Sequence, residues 1–144
     1  MSKRLVDTAK YRKPFLRGLE GPYKLLWDFI CLECDHSGVW IVDFEITQIL
    51  LGNDMPIDKG TALERFNEDE RRIIELDGGQ KWFIPSFISF QYGPLKDNNR
   101  VHISVINQLA KLHIDPDTLE PEKKKKDVDD KSKAGDFITQ VLRV

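Results

Sequence analysis

Apolar side chains along the first hundred residues recur at two spacings, and the switches between them divide the chain into elements. Gly21-Pro22 puts proline at a first helical position. Tyr23, Leu26, Trp27, Ile30 and Cys34 follow at helical spacing, which predicts a buried amphipathic helix over 22–34. A short helical turn at 14–19 precedes it. The break His36-Ser37-Gly38 leads into a β-rich run, Val39–Val42. Asp43 is a good N-cap for a helix through Leu51 with Ile46, Ile49 and Leu50 turned inward, and Gly52-Asn53 stops it. Asp58 caps another from Lys59 to Asn67, with Ala62, Leu63 and Phe66 on one face.

The period then changes from helical to alternating. Arg72–Leu76 and Lys81–Ile84 flank Asp77-Gly78-Gly79-Gln80, whose glycines readily take the positive φ of a tight turn, so the segment predicts a β-hairpin. Pro85 begins a helical segment carrying Phe87, Phe90 and Tyr92 and ended by Gly93-Pro94. Asn98 or Asn99 caps the next helix, with an inward stripe of Val101, Val105, Ile106, Leu109 and Leu112 up to His113. From Pro116 apolar content falls away into Lys123–Lys126 and then Asp127, Asp129 and Asp130, too few apolar groups to offset the entropy of ordering. Phe137, Ile138, Val141 and Leu142 then form a brief apolar face at helical spacing.

The order helix, short strand, helix, helix, strand, turn, strand is that of a helix-turn-helix with an attached hairpin. The fold expected is mainly α with a small β-hairpin: a winged helix-turn-helix with a C-terminal helical extension. The domain, with its two extra helices, is expected over 1–115, and a disordered charged linker with a short apolar tail over 116–144. In this arrangement the helix from Asp58 to Asn67 is the second of the helix-turn-helix, and Asp77–Lys81 is the tip of the wing.

Composition narrows the class of function. At 144 residues and 40% apolar content there is room for one domain with a real core. No apolar stretch is long enough for a signal peptide or a membrane span, and two cysteines are too few for a secreted disulfide framework, so a cytoplasmic protein without membrane attachment is expected. Net charge is −2, without the strong basic excess of many nucleic-acid binders. Its distribution is uneven: seven basic and four acidic residues over 1–34, against four basic and ten acidic over 35–76. Attraction to phosphate therefore has to come from the N-terminal segment and from local spots.

The stretch Lys81-Trp82-Phe83-Ile84-Pro85-Ser86-Phe87-Ile88-Ser89-Phe90-Gln91-Tyr92-Gly93, then Leu95, Asn99-Arg100-Val101-His102 and Ser104-Val105-Ile106, resembles the segment that ends the winged helix in phage replisome organisers and related DnaD-like N-terminal domains. Phe15-Leu16, Lys24-Leu25-Leu26-Trp27 and Gly38-Val39-Trp40 are similar to the opening of those domains, so the resemblance spans roughly 5–114. It implies a phage or prophage DNA replication initiation protein whose N-terminal domain binds double-stranded origin DNA and whose C-terminal part recruits helicase or a helicase loader. The chain departs from that pattern after 116, where too little sequence remains for a recruitment domain. A winged-helix transcription regulator would use the same docking. A protein-interaction module, self-associating as a homo-oligomer or capturing a partner, is the reading suggested by the acidic middle and the apolar tail.

Candidate DNA contacts follow from the expected geometry. With Ala62, Leu63 and Phe66 inward, Thr61 and Arg65 point outward beside Lys59. Arg65 is placed for a guanine edge or a phosphate, and Thr61 for a phosphate or a thymine methyl. Glu64 and Glu68 share that face and would repel the backbone, so an internal Glu–Arg pairing competes with base readout. Gln80 and Lys81 at the wing are candidates for backbone or minor-groove contact, or simply a polar hairpin tip. Lys10, Arg12, Lys13 and Arg17 form the clear basic cluster, near Tyr11 and Phe15.

Enzymatic chemistry is not expected. Cys31-Leu32-Glu33-Cys34 with nearby His36 has the look of a metal or redox motif, but it falls at a helix C-terminus, where the dipole disfavours a thiolate, and no second ligand pair accompanies it. His102 and His113 lack an acidic partner at short spacing, and Asp43 is better explained as a cap than as a nuclease ligand with Glu45. Phosphate-loop, zinc-protease, nucleophile-elbow and dinucleotide signatures are absent. No catalytic residue, metal or cofactor is assigned.

Overall fold

The computed structural model describes residues 2–122. Its elements run α1 (Pro14–Arg17), α2 (Gly21–Glu33), β1 (Val39–Ile41), α3 (Phe44–Leu51), α4 (Lys59–Phe66), β2 (Ile74–Leu76), β3 (Lys81–Phe83), α5 (Pro85–Tyr92) and α6 (Arg100–Lys111), with 3-10 turns at Lys10–Arg12 and Asp77–Gly79. The described residues therefore form a helix-rich protein with a small antiparallel sheet of strand order β1-β3-β2. The hairpin is present, and β1 extends it: Val39 pairs with Phe83 and Trp40 with Trp82, while Ile74 pairs with Phe83 from the other side. No helix among the described residues is long and apolar enough to cross a membrane.

Backbone chemistry explains where the chain turns. Asp35 accepts from the Ser37 N–H (2.8 Å), the Ser37 hydroxyl (2.6 Å) and the Val39 N–H (3.1 Å), which closes the turn into β1. Gly38 in that turn has φ +78°, and a Cβ there would lie 3.1 Å from the Ile84 carbonyl oxygen, so only glycine fits without displacement. The hairpin closes through three successive positive φ values, 52° at Asp77, 65° at Gly78 and 90° at Gly79. Asn67 joins α4 to β2: its amide donates to the Ile73 carbonyl (3.1 Å) and accepts from the N–H groups of Arg72 (2.9 Å) and Ile73 (2.8 Å).

The core collects α2, the sheet, α4, α5 and α6. Leu26, Ile30, Phe66, Trp82, Phe83, Ile84, Val105, Leu109 and Ile114 are fully buried. Around them aromatic rings meet edge to face, Phe15 with Trp27 at 4.9 Å and Trp27 with Phe66 at 5.0 Å. Trp27 is half-buried rather than buried, because it sits at the margin between α1 and α4 and not beneath them.

Three expectations are corrected. Ile46, Ile49 and Leu50 do not face the core; they are 55%, 67% and 62% exposed, and α3 turns Thr47 inward, with Phe44 and Leu51 partly buried. The helix is set by the strand before it: β1 ends at Ile41, and the stacking of Phe44 on Trp40 (5.9 Å) and Trp82 (5.7 Å) fixes the rotation that puts Phe44 and Thr47 underneath. Val101 likewise lies exposed in the first turn of α6, where Asn99 caps the helix outside the core, while Val105 and Leu109 carry the burial. Finally, the packed structure runs past 115: Ile114 bridges Pro121, Leu119 packs partly buried on the core, and the Glu122 N–H donates to the His113 carbonyl (2.7 Å). The tail residues Phe137, Ile138, Val141 and Leu142 and the Lys123–Lys126 run lie outside the described residues.

Candidate nucleic-acid interface

α4 and the hairpin bring most of the predicted contacts to one region. Asp58 caps α4, accepting from the Thr61 N–H (2.9 Å) and hydroxyl (3.0 Å), and those bonds hold its carboxyl below the ordinary carboxylate range. The Asp58 N–H in turn donates to Tyr23 Oη (3.1 Å), which pins the start of α4 to α2. Thr61 is therefore committed to the cap, its hydroxyl already bonded. Lys59, one residue into the helix, reaches across and donates from Nζ to the Gly79 carbonyl at 3.1 Å. The first turn of α4 and the hairpin tip are thus tied by one cation, with Gln80 exposed and Lys81 half-buried beside it.

Farther along α4 the charges balance. Arg65 pairs with Glu20 at 2.9 Å and with Glu64 at 3.2 Å, and the Glu20 bond raises its already high affinity for a proton. Of the two expectations for Arg65, the geometry realises the internal pairing. Glu64 stays exposed on the helix, whereas Glu68, expected to share its face, lies exposed beyond the helix end at Phe66.

The N-terminal basic cluster divides. Lys10 pairs with Asp28 (2.8 Å) and Lys13 with Asp7 (2.6 Å), whereas Arg12 and Arg17 are exposed and take part in no ion pair found among the described residues. Asp7 is held below the ordinary range by the Lys13 bond, and the Tyr11 hydroxyl is pushed up by its hydrogen bond to Asp28. The cluster acts first as internal wiring of a strap, residues 2–13, laid over α2 and α5. Arg4 anchors the strap: it donates to the carbonyls of Cys31 (2.9 Å), Leu32 (3.0 Å) and Cys34 (2.5 Å) and lies 4.9 Å from the centre of the Phe87 ring. Leu5 and Gln91 exchange two hydrogen bonds, 3.0 and 2.8 Å. A partly open cavity of about 400 Å³ lies beneath, lined by Val6, Phe15, Trp27, Phe87 and Arg72 among others.

The cysteines are held as thiols. Burial pushes Cys31 up to about 12 and Cys34 up to about 11, and both are free rather than paired. Among the described residues no group of three or more His, Cys, Asp or Glu side chains is gathered as a metal site would require. His36 bonds Ser104 (3.1 Å), and His102 accepts from the Lys96 N–H (3.0 Å).

Two structural residues have weak sequence signals. Gln48 on α3 donates to the carbonyls of Gly52 (2.8 Å) and Met55 (3.0 Å) and accepts from the Ile57 N–H (2.9 Å), so one side chain organises the whole α3–α4 connection. A glutamine four residues before a glycine is the hint available. Arg4 carries no local signal, because its partners lie 27 to 30 residues away. Comparison with family models, curated proteins and solved structures finds no match to this chain.

Proposed function

We propose that this chain is a winged-helix module that binds double-stranded DNA, and that it serves a phage or prophage replication-initiation protein, the role implied by the resemblance at 81–106. The observation that carries the reading is the tie between Lys59 and Gly79, which fixes the N-terminus of α4 and the hairpin tip as one surface. Because the Asp58 carboxylate takes up the Thr61 N–H at the start of α4, the phosphate contacts come from the hairpin side of that surface and from the cations beside it. Affinity comes from Lys81, Gln80 and the amides of that turn, supplemented by Arg12 and Arg17. Arg65, engaged by Glu20, contributes little base readout.

The test is fluorescence anisotropy with a labelled duplex across a salt series. Binding should weaken steeply with salt, with a logarithmic slope of about 0.9 per phosphate neutralised. Lys81→Ala with Arg12→Ala and Arg17→Ala should lower both affinity and slope, whereas Arg65→Ala should change neither much. Absence of binding at low salt rejects the reading.

A further inference from the structure

One face of α3 is at odds with the rest of the molecule. Ile46, Ile49 and Leu50 form a helical i, i+3, i+4 stripe more than half exposed, and Ile41 at the end of edge strand β1 is 72% exposed beside them in sequence. Aliphatic side chains left in water at this density call for a cover. Residues 41–55 also carry three carboxylates, Asp43, Glu45 and Asp54, and no lysine or arginine.

The chain contains a segment of matching chemistry. Ile138-Thr139-Gln140-Val141-Leu142 repeats Ile46-Thr47-Gln48-Ile49-Leu50 with a single Ile-to-Val change, so both segments offer the same aliphatic stripe at helical spacing. A segment carrying the same aliphatic side chains at the same spacing matches the grooves between those of α3. Charge agrees: 131–144 holds Lys131, Lys133 and Arg143 against Asp136, opposite in sign to the three acids of 41–55. Reach agrees as well. The fourteen residues 123–136 separate the last described residue, Glu122, from Phe137. Extended, they span at most about 46–50 Å, farther than the roughly 35 Å diameter of a fold this size. Covalent attachment gives the segment an effective concentration on the order of millimolar at that face.

We infer that residues 137–142 dock on the Ile46, Ile49 and Leu50 face of α3 in the same molecule. The inference is independent of DNA binding, since it uses neither α4 nor the hairpin.

The experiment compares amide NMR spectra of the full chain with those of two full-length variants at several protein concentrations. In Ile138→Asp with Leu142→Asp, the amide signals of Ile46–Leu50 should shift while those of Trp40, Phe66 and Trp82 stay in place. In Ile49→Asp, a change on an exposed position, the signals of 137–142 should move to those of a free peptide of sequence 134–144. Unchanged α3 signals in the first variant, or tail signals in the parent chain already matching the free peptide, overturn the docking. Shifts that grow with concentration alongside a dimer mass in sedimentation also overturn it, and assign the face to a second copy.

Discussion

α3 and α4 begin alike and end up opposite. Each has eight residues, and each opens on an aspartate whose carboxylate accepts the N–H three residues on, 3.0 Å at Asp43 and 2.9 Å at Asp58. Yet α4 buries Ala62 and Phe66 completely and turns Glu64 outward, while α3 buries Thr47 and presents isoleucine and leucine to solvent. A cap decides where a helix starts. Which face packs is decided by what holds the helix in rotation: for α4, Tyr23 Oη and the Lys59 tie; for α3, Phe44 against Trp40 and Trp82.

The contrast can be broken most sharply at the packed faces. Phe66→Ala removes a fully buried ring that touches Trp27 and Phe15, and should cost about 3–5 kcal/mol in urea unfolding. Ile49→Ala should cost under about 1 kcal/mol by the same measurement, since among the described residues its side chain packs against little of the core. A large loss at Ile49 would place the stripe inside the fold. Next in size is Gln48→Ala, which leaves three partly buried backbone groups of the α3–α4 connection without a partner; about 1–3 kcal/mol is expected, with faster amide exchange at Ile57. Asp43→Ala and Asp58→Ala should lower the urea midpoint by nearly equal amounts despite the different faces. Unequal costs would show that the caps do more than start helices.

The smallest effect is pH dependence at the α4 cap. Because hydrogen bonds from Thr61 depress the Asp58 carboxyl in the folded protein, the cap contributes fully above its unfolded value near 3.8 and is lost as pH falls through the lower folded value. Exchange of the Thr61 amide should therefore quicken, relative to its intrinsic rate, only below about pH 4. Thr61→Val, which removes the hydroxyl bond, should move that onset upward. An onset near neutral pH would assign the protection to another group.

Much of this arrangement can be read along the chain, and the parts that cannot share a cause. Element starts depend on residues within four positions, so Pro22, Asp43, Asp58, Pro85 and Asn99 all mark real helix beginnings. The hairpin is legible because Asp77-Gly78-Gly79 encodes positive φ locally. Rotation of α3 is not, because it is set by Trp82, some forty positions away, and a stripe of isoleucine and leucine looks the same whether it meets core or water. The candidate contacts divide along the same line. Lys59 with Thr61 and Gln80 with Lys81 are neighbours along the chain and so legible as pairs, but the Lys59–Gly79 tie that joins them and the pairings of Lys10 with Asp28 and Arg65 with Glu20 cross between elements and leave no periodic trace.

The strap has a mechanical side. Residues 2–13 are fastened at spaced points, by Arg4 on the end of α2, Leu5 on Gln91 and Lys10 on Asp28, with a cavity between them and no strand pairing. A pull on the N-terminus therefore loads these fastenings one after another, as a strip of tape peels, before any force reaches the sheet. The first segment to yield is one whose release leaves the pairing of the three strands and the stacking of Trp82 on Trp40 and Phe44 intact.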